Sequence, residues 1–457
     1  MVNIALPAIF GRRHLPIRRE RFVEGIRRTM RAPSLLAQRL AVAQTTDTLI
    51  HPRVLPRVDD APPVAWVGPA ASAKAPAIAL TLHRDMASAA ADWRAFEQTA
   101  DCTPFQTFAW LAAWDRHVGG PAGIRPAIVI GRRGGDIAFV APLAVEAGRL
   151  ARRLTFLGQA LCDYNAPLLA PGFADTLDSQ AFAALWRDIR ALLQADPRLA
   201  HDIVEFTKMP ATVGAQANPF AMRDAMLHPS GAYQANLGAD WETFYSAKRS
   251  SATRRRDRTK LKKLGDLGEV RFVTPDAADT AATLDTLIRQ KSRAFARMGV
   301  PDLFARPGHA AFFHEIAASR DFVHISRLDV GAAQAAVNLG LTFRDCYYHI
   351  LASYDDGEVS RFGPGAAHLR ELLRYATEHG MPRFDFTIGD EPYKRDWCDT
   401  EQALYDHVSA ATARGAPFVW LSAARRRAKR AIKHNAALWA AVVRVRSTLG
   451  LLRKRDE

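Results

Sequence analysis

One run in the chain gathers several groups able to move protons: Asp385-Phe386-Thr387-Ile388-Gly389-Asp390-Glu391-Pro392-Tyr393-Lys394-Arg395-Asp396-Trp397. Two adjacent carboxylates, a phenol and an ammonium follow a short apolar stretch that reads as the end of a strand. A hydroxyl or amine attacking an acyl carbon must shed its proton, and a carboxylate within hydrogen-bond reach is a natural acceptor for it. Asp390 and Glu391 are the leading candidates, because adjacent carboxylates drive each other's pKa apart and leave one poised as a base. Tyr393 is placed to return a proton to a leaving group. Asp385, inside the strand, is read as a binding or orienting group, and Lys394 as a partner for an anionic acceptor. The plainer reading of the same run is a solvated turn with its charges paired to Lys394 and Arg395.

About 25 residues upstream lies Ser360-Arg361-Phe362-Gly363-Pro364-Gly365-Ala366, opening a helical pattern (Leu369, Leu372, Leu373, Ala376) that runs to Gly380. A small-residue turn entering a helix leaves amide N–H groups free and points a positive dipole outward, which suits a pyrophosphate. Arg361, Phe362, Gly363, Gly365 and Ala366 are the expected cofactor-binding positions. Pro364 presets φ for the first helical turn and withdraws one donor from the cradle.

These residues carry a family resemblance. The stretch from about Asp240 to Val419 resembles the GNAT-like acyltransferases of cellulose and exopolysaccharide gene clusters, relatives of the Fem peptidyltransferases with two GNAT-like halves. Three segments match: Phe244 to Lys263, Phe362 to Leu373, and Phe384 to Trp397, which is similar to the family's motif of aspartate, aromatic, two residues, Gly, x, Glu, x, Tyr-Lys. The first half matches through Pro104 to Leu111 and through Gly158 followed by Asp163-Tyr164-Asn165-Ala166-Pro167-Leu168. The resemblance implies a tandem GNAT-like α/β fold and acyl-CoA, most simply acetyl-CoA, as co-substrate. It implies an acceptor on a polysaccharide or cell-envelope precursor. A Fem-like enzyme taking its aminoacyl group from charged tRNA is the alternative, and a non-catalytic, membrane-associated scaffold for polysaccharide synthesis is a third reading.

Composition bounds these readings. With 457 residues and 48% hydrophobic content the chain can bury two ordinary cores. Its four cysteines, Cys102, Cys162, Cys346 and Cys398, are widely spaced and lack any Cys-x-x-Cys pair, so neither a zinc site nor a disulfide scaffold is expected. No apolar run approaches the ~18 residues of a spanning helix, and a cytoplasmic location is expected by default. The formal charge of +15 is uneven: residues 1–58, 248–263 and 424–457 carry +8, +8 and +9, leaving about −10 on the rest. The appendages are basic and the body is mildly acidic, which points to anionic partners for the appendages.

Organisation follows from pattern. Residues 1–76 read as a basic, Pro-rich extension, 77–232 as a first GNAT-like domain, 233–422 as a second, and 423–457 as a basic amphipathic helix. Ile78 to Leu82 reads as a strand, Trp93 to Ala100 and Phe108 to Val118 as helices, and the segments flanking Gly134-Gly135 as a hairpin. Phe182 to Leu193 has helical spacing. Val323 to Leu328, Ala335 to Phe343 and Tyr347 to Tyr354 read as an antiparallel meander, followed by a helix over 366–379 and a strand at Phe384 to Phe386. His349, on the last meander strand, and Asp163, in the polar loop of the first half, are expected to face substrate. Each has a plainer reading, as a packed strand histidine and a capped turn.

The lysines and arginines of 248–263 spiral around most of a helix without interleaved aromatics, so a base-stacking platform for nucleic acid is disfavoured. In the tail, Ala428, Ile432, Ala436, Trp439 and Val443 share a face opposite Arg426, Arg427, Arg430, Lys433 and Arg444, a pattern suited to an anionic membrane surface. Arg425 and Arg446 interrupt that face, so docking on the protein's own body is equally compatible.

Overall fold

The computed structural model describes residues 78–221, 225–319 and 321–422, with 424, 427 and 435. The N-terminal extension and nearly all of the predicted tail helix lie outside the described residues. The chain builds β1 (Ala79–His83), α1 (Met86–Phe96), α2 (Phe108–Trp114), β2 (Arg125–Arg133), β3 (Asp136–Ala147), β4 (Arg152–Phe156), β5 (Leu168–Leu169), α3 (Ser179–Gln194) and β6 (Ile203–Pro210). Two short strands, β7 (Thr212–Val213) and β8 (Gln216–Ala217), then β9 (Met226–Leu227) and β10 (Ala232–Asn236), lead into the second half. There follow α4 (Trp241–Lys248), α5 (Ser251–Gly265), β11 (Val270–Val273), α6 (Ala277–Arg297), α7 (His309–Ala318), β12 (Val323–Val330), β13 (Ala333–Phe343) and β14 (Cys346–Tyr354). The chain continues through α8 (Pro364–Glu378), β15 (Arg383–Ile388), α9 (Pro392–Arg395), β16 (Thr400–Gln402) and β17 (Leu404–Ala410).

The expected hairpin and meander form where alternation and turn residues placed them, and their strands run longer than the expected runs. The first predicted helix is displaced. Asp85 caps it from the Ser88 N–H, so it begins at Met86 rather than near Trp93. The basic helix expected from Phe244 to Lys263 is two helices, because Arg249 is extended and the Ser250 hydroxyl caps a new start at the Thr253 N–H. Arg255, Arg256, Arg258, Lys260, Lys262 and Lys263 on α5 are exposed.

Two mixed sheets result. The first has the order β1-β2-β3-β4-β6-β17-β9, with β5 on β3, and the second β11-β12-β13-β14-β15-β10-β16. Read in parallel, the sixth place of the first sheet holds the last strand of the chain, while the sixth place of the second holds β10, which precedes that sheet's own first strand. Strand β17 of the second half thus completes the first sheet, and one cut at 232/233 does not separate the sheets as the expected boundary implies. The reason is local pairing. Ala235 and Asn236 find partners in Phe384 and Arg383, and Leu404 to Ala410 lie antiparallel to Pro210 to Ile203.

One apolar cluster spans both halves, joining Phe105, Trp110 and Ile128 to Phe312, Leu339, Leu351 and Ile388. Trp110 meets Phe312 edge-on at 5.0 Å, a geometry that adds ~0.5–1.5 kcal/mol to plain area burial. All described residues belong to one compact unit. Among them no helix is long and apolar enough to cross a membrane, and all four cysteines are free and buried.

Candidate functional site

Each sheet contains one parallel pair, β4 with β6 and β14 with β15, bridged by the crossover helices α3 and α8. The second pair is short. Cys346, Tyr347 and Tyr348 match Arg383, Phe384 and Asp385, after which β14 runs on to Tyr354 and β15 to Ile388 without pairing to each other. A cavity of about 580 Å³ opens where they part, lined by β14 from His349 to Tyr354 and by Phe386, Thr387 and Ile388 of β15. Its other walls come from the turn into α8 and from Glu391, Tyr393 and Lys394, so the two sequence signals face one space. Asp163 of the first half lines it too.

At one end the chain enters α8. Gly363 adopts φ +68°, a left-handed conformation that glycine takes at little cost, and no side chain caps the helix. Among the described residues the amide N–H groups of Gly365 and Ala366 have no protein acceptor. A Cβ on Gly365 would stand 3.2 Å from the Tyr354 ring, a tight contact that the glycine avoids, leaving bare backbone at the wall. Phe362, Gly363, Gly365 and Ala366 line the cavity; Arg361 does not, and its guanidinium pairs with Glu358 at 2.7 Å in solvent.

At the other end the acidic loop folds around Lys394. Thr387 sits in a bulge of β15 at φ +54°, with its N–H donated to the Asp385 carboxylate at 2.7 Å. The bulge turns the Thr387 and Ile388 carbonyls toward Lys394, whose buried ammonium donates to them at 3.3 and 3.1 Å and pairs with Glu391 at 3.0 Å. Gly389 accounts for the spacing of the motif. At φ +136°, a Cβ there would stand 2.4 Å from a Glu391 carboxylate oxygen, so only glycine lets the carboxylate fold back over it. Burial, the largest single influence, raises the Glu391 pKa, but the charge and hydrogen bond of Lys394 are among the effects that together hold the carboxyl below its usual range.

Asp385 is fully buried and does not line the cavity. It accepts from Tyr164 of the first half at 2.8 and 3.0 Å, from Gln234 of β10 at 2.9 Å, and from Thr387 N–H. Burial lifts its pKa to about 6 against these hydrogen bonds. Asp390, sequence neighbour of Glu391, is also absent from the cavity wall; it accepts from the Gly231 N–H at 3.3 Å and the Tyr233 hydroxyl at 3.4 Å. Tyr393 lines the cavity, and burial followed by the Glu391 charge pushes its pKa upward. His349 lines the cavity but is hydrogen-bonded beneath it. With the Asn338 amide donating to His349 Nε2 at 3.1 Å, its oxygen accepts from Tyr347 at 2.8 Å. Burial then holds the His349 pKa down at about 3.

Tyr164 belongs to the polar loop that the sequence marks together with Asp163 and Asn165. Lys291 carried no local signal; it lies in the middle of amphipathic α6, about 100 residues before the motif it faces.

The sequence of this stretch decides its kind. Residues 251–395 match the family model described as an acetyltransferase (GNAT) domain. This stretch is a GNAT acetyltransferase domain. No curated protein matches the chain. Among solved structures this chain is similar to FemX, with 11% identity, a TM-score of 0.48, and coverage of 75% of this chain and 99% of that one. It is also similar to the C-terminal domain of a putative lysylphosphatidylglycerol synthetase from Agrobacterium fabrum, with 9% identity, a TM-score of 0.45, and coverage of 74% and 96%. A third is a tandem GNAT protein from the clavulanic acid biosynthesis pathway, with 13% identity, a TM-score of 0.41, and coverage of 74% and 99%.

Proposed function

We propose that the protein transfers an acyl group, most simply acetyl, from acyl-CoA to a sugar or amine of a polysaccharide or cell-envelope precursor. The observation that carries this reading is the single cavity lined by the α8 turn, the parted strands β14 and β15, and the Glu391–Lys394 loop. The residues suit the co-substrate. The free Gly365 and Ala366 amides and the α8 dipole would hold its diphosphate, and the exposed backbone edge of β14 would receive its extended arm. From His349 to Tyr354 the strand takes five steps, about 17 Å at ~3.3 Å each, which separates the phosphate end from the Glu391 end. When bound, the co-substrate supplies the acyl carbon as a thioester.

The chain's own groups then manage protons. Glu391, kept ionised by Lys394, accepts the proton of the acceptor N–H or O–H as the new bond to the acyl carbon forms. The Tyr393 hydroxyl donates to the departing sulfur and recovers a proton from solvent or Glu391. Neither step needs a covalent enzyme intermediate, so direct transfer in a ternary complex is the proposed route; Cys398 is buried, and burial pushes its thiol pKa up. Peripheral membrane contact through residues 423–457 and a cytoplasmic setting belong to this proposal, with nucleic acid not a partner.

Calorimetry with acetyl-CoA on the full chain tests the reading. Saturable 1:1 binding, lost when Gly365 is replaced by a bulky residue, is expected; absence of binding, with affinity for charged tRNA at physiological salt instead, would move the donor assignment to aminoacyl transfer.

A further inference from the structure

Most charges around the cavity are matched within the protein. Arg249 pairs with Asp396 at 2.9 Å, and Arg370 with Glu371 at 2.9 Å. Asp163 acts on the buried Lys208 ammonium, and Glu391 is engaged by Lys394 at 3.0 Å. Two lining cations remain. Lys260 is an exposed rim residue, but Lys291 lies on the inward face of α6. Among the described residues no hydrogen bond or ion pair reaches the Lys291 ammonium; its one ring contact is Phe295, at 5.8 Å.

The charges felt at Lys291 are those of Glu391 and Lys394, and its own charge acts on His349. Among the described residues the inner end of the cavity therefore holds two ammonium groups against one carboxylate. That carboxylate is folded over Gly389 onto Lys394, whose remaining donors are spent on the Thr387 and Ile388 carbonyls. Phe295, Met298, Leu303 and Phe313 make the nearby wall apolar. An ammonium beside such a wall is costly without a partner, and the cheapest way to satisfy it is an anion brought by a ligand. Burial, the main influence, lowers the Lys291 pKa, with Glu391 raising it and Lys394 adding to the lowering.

On the proposed reading the co-substrate's phosphates would lie at the α8 turn and would not provide that anion. Lys291 acts on His349, where β14 and β15 part, whereas the α8 turn abuts Tyr354 at the far end of the same strand stretch. We infer that the inner end of the cavity is an anion subsite in which Lys291 receives a carboxylate or phosphate borne by the acceptor, so that the acceptor is an acidic sugar or amine. This rests on the acyl-CoA reading above, and it moves the anion-binding role from Lys394, where sequence placed it, to Lys291.

The test uses the full chain saturated with acetyl-CoA and titrated with four sugars: glucosamine, glucosamine 6-phosphate, glucose and glucuronic acid. Wild type is expected to bind at least one acidic sugar tenfold or more tightly than its neutral counterpart. The phosphate and carboxylate arms tell the two anions apart. Lys291→Met should abolish the preference, Lys291→Arg should keep most of it, and both should bind acetyl-CoA like wild type. Three results overturn the subsite: no acidic preference in wild type, an undiminished preference in Lys291→Met, or a tenfold loss of acetyl-CoA affinity in that variant, which would assign Lys291 to the nucleotide. Failure of wild type to bind acetyl-CoA at all would instead refute the proposed function.

Discussion

The Tyr164 hydroxyl donates to both oxygens of Asp385, at 2.8 and 3.0 Å, across 221 residues of sequence and between the two halves of the fold. Asp385 in turn holds the Thr387 bulge, which aims two carbonyls at Lys394, which holds Glu391. A residue of the first half thus steadies a carboxylate of the second through four consecutive polar contacts.

Removing the first contact tests that chain. Tyr164→Phe leaves a fully buried carboxylate short of a donor, and losing a hydrogen bond to a charged group costs ~1.5–3 kcal/mol. Chemical denaturation is expected to show a loss of that size, with turnover falling further than acetyl-CoA affinity. A variant with wild-type stability and turnover would show that Asp385 does not depend on the first half.

Glu391 and Asp390 are expected to separate. Glu391→Gln keeps shape and removes the proton acceptor, so turnover should fall by ~10²–10⁴-fold with the acetyl-CoA dissociation constant within a factor of three. Asp390→Asn, outside the cavity wall, should retain turnover within about fivefold of wild type, an allowance for a residue not placed to exchange protons with a bound acceptor. Initial-rate kinetics with a competent acceptor decide it, and the reverse ranking would transfer the base role to Asp390.

Gly389→Ala is a sharper probe than its size suggests. A methyl group 2.4 Å from the Glu391 carboxylate, on backbone at φ +136°, forces that carboxylate out of place. The variant should bind acetyl-CoA normally, lose most of its turnover, and lose ~1–3 kcal/mol of stability to backbone strain.

Acid should destabilise the fold between about pH 6.5 and pH 4. Burial holds His324 at about 4 and His349 and His368 at about 3, each neutral in a hydrogen-bonded interior. In that window the unfolded chain binds more protons than the folded one, so stability falls as pH falls and is fully present above the unfolded histidine value of ~6.5. Asp385, raised to about 6, acts in the opposite sense: its contribution is greatest below the unfolded carboxyl value and fades as pH rises through 6. Three histidines outweigh one aspartate, so thermal melts should give a lower midpoint at pH 5 than at pH 7.5. Equal midpoints would place the histidines in wetter surroundings than the structure shows.

The meander, the Gly363 turn with its helix, and the Gly389-x-Glu391 loop were legible in the sequence because each is decided by neighbours a few residues apart. Alternation sets a strand's buried face, a glycine sets a turn, and a missing Cβ makes room for the side chain two residues on. The tertiary structure decided the rest. Which carboxylate reaches the cavity depends on a bulge that Tyr164 and Gln234 help to pin, and neither is near Asp385 in sequence. The seats of β10 between β15 and β16 and of β17 in the first sheet depend on partners far along the chain, and the place of Lys291 depends on how α6 lies over β13 and β14. Such contacts pair residues from roughly 40 to more than 200 positions apart, and local patterns do not encode which distant surfaces will share one core.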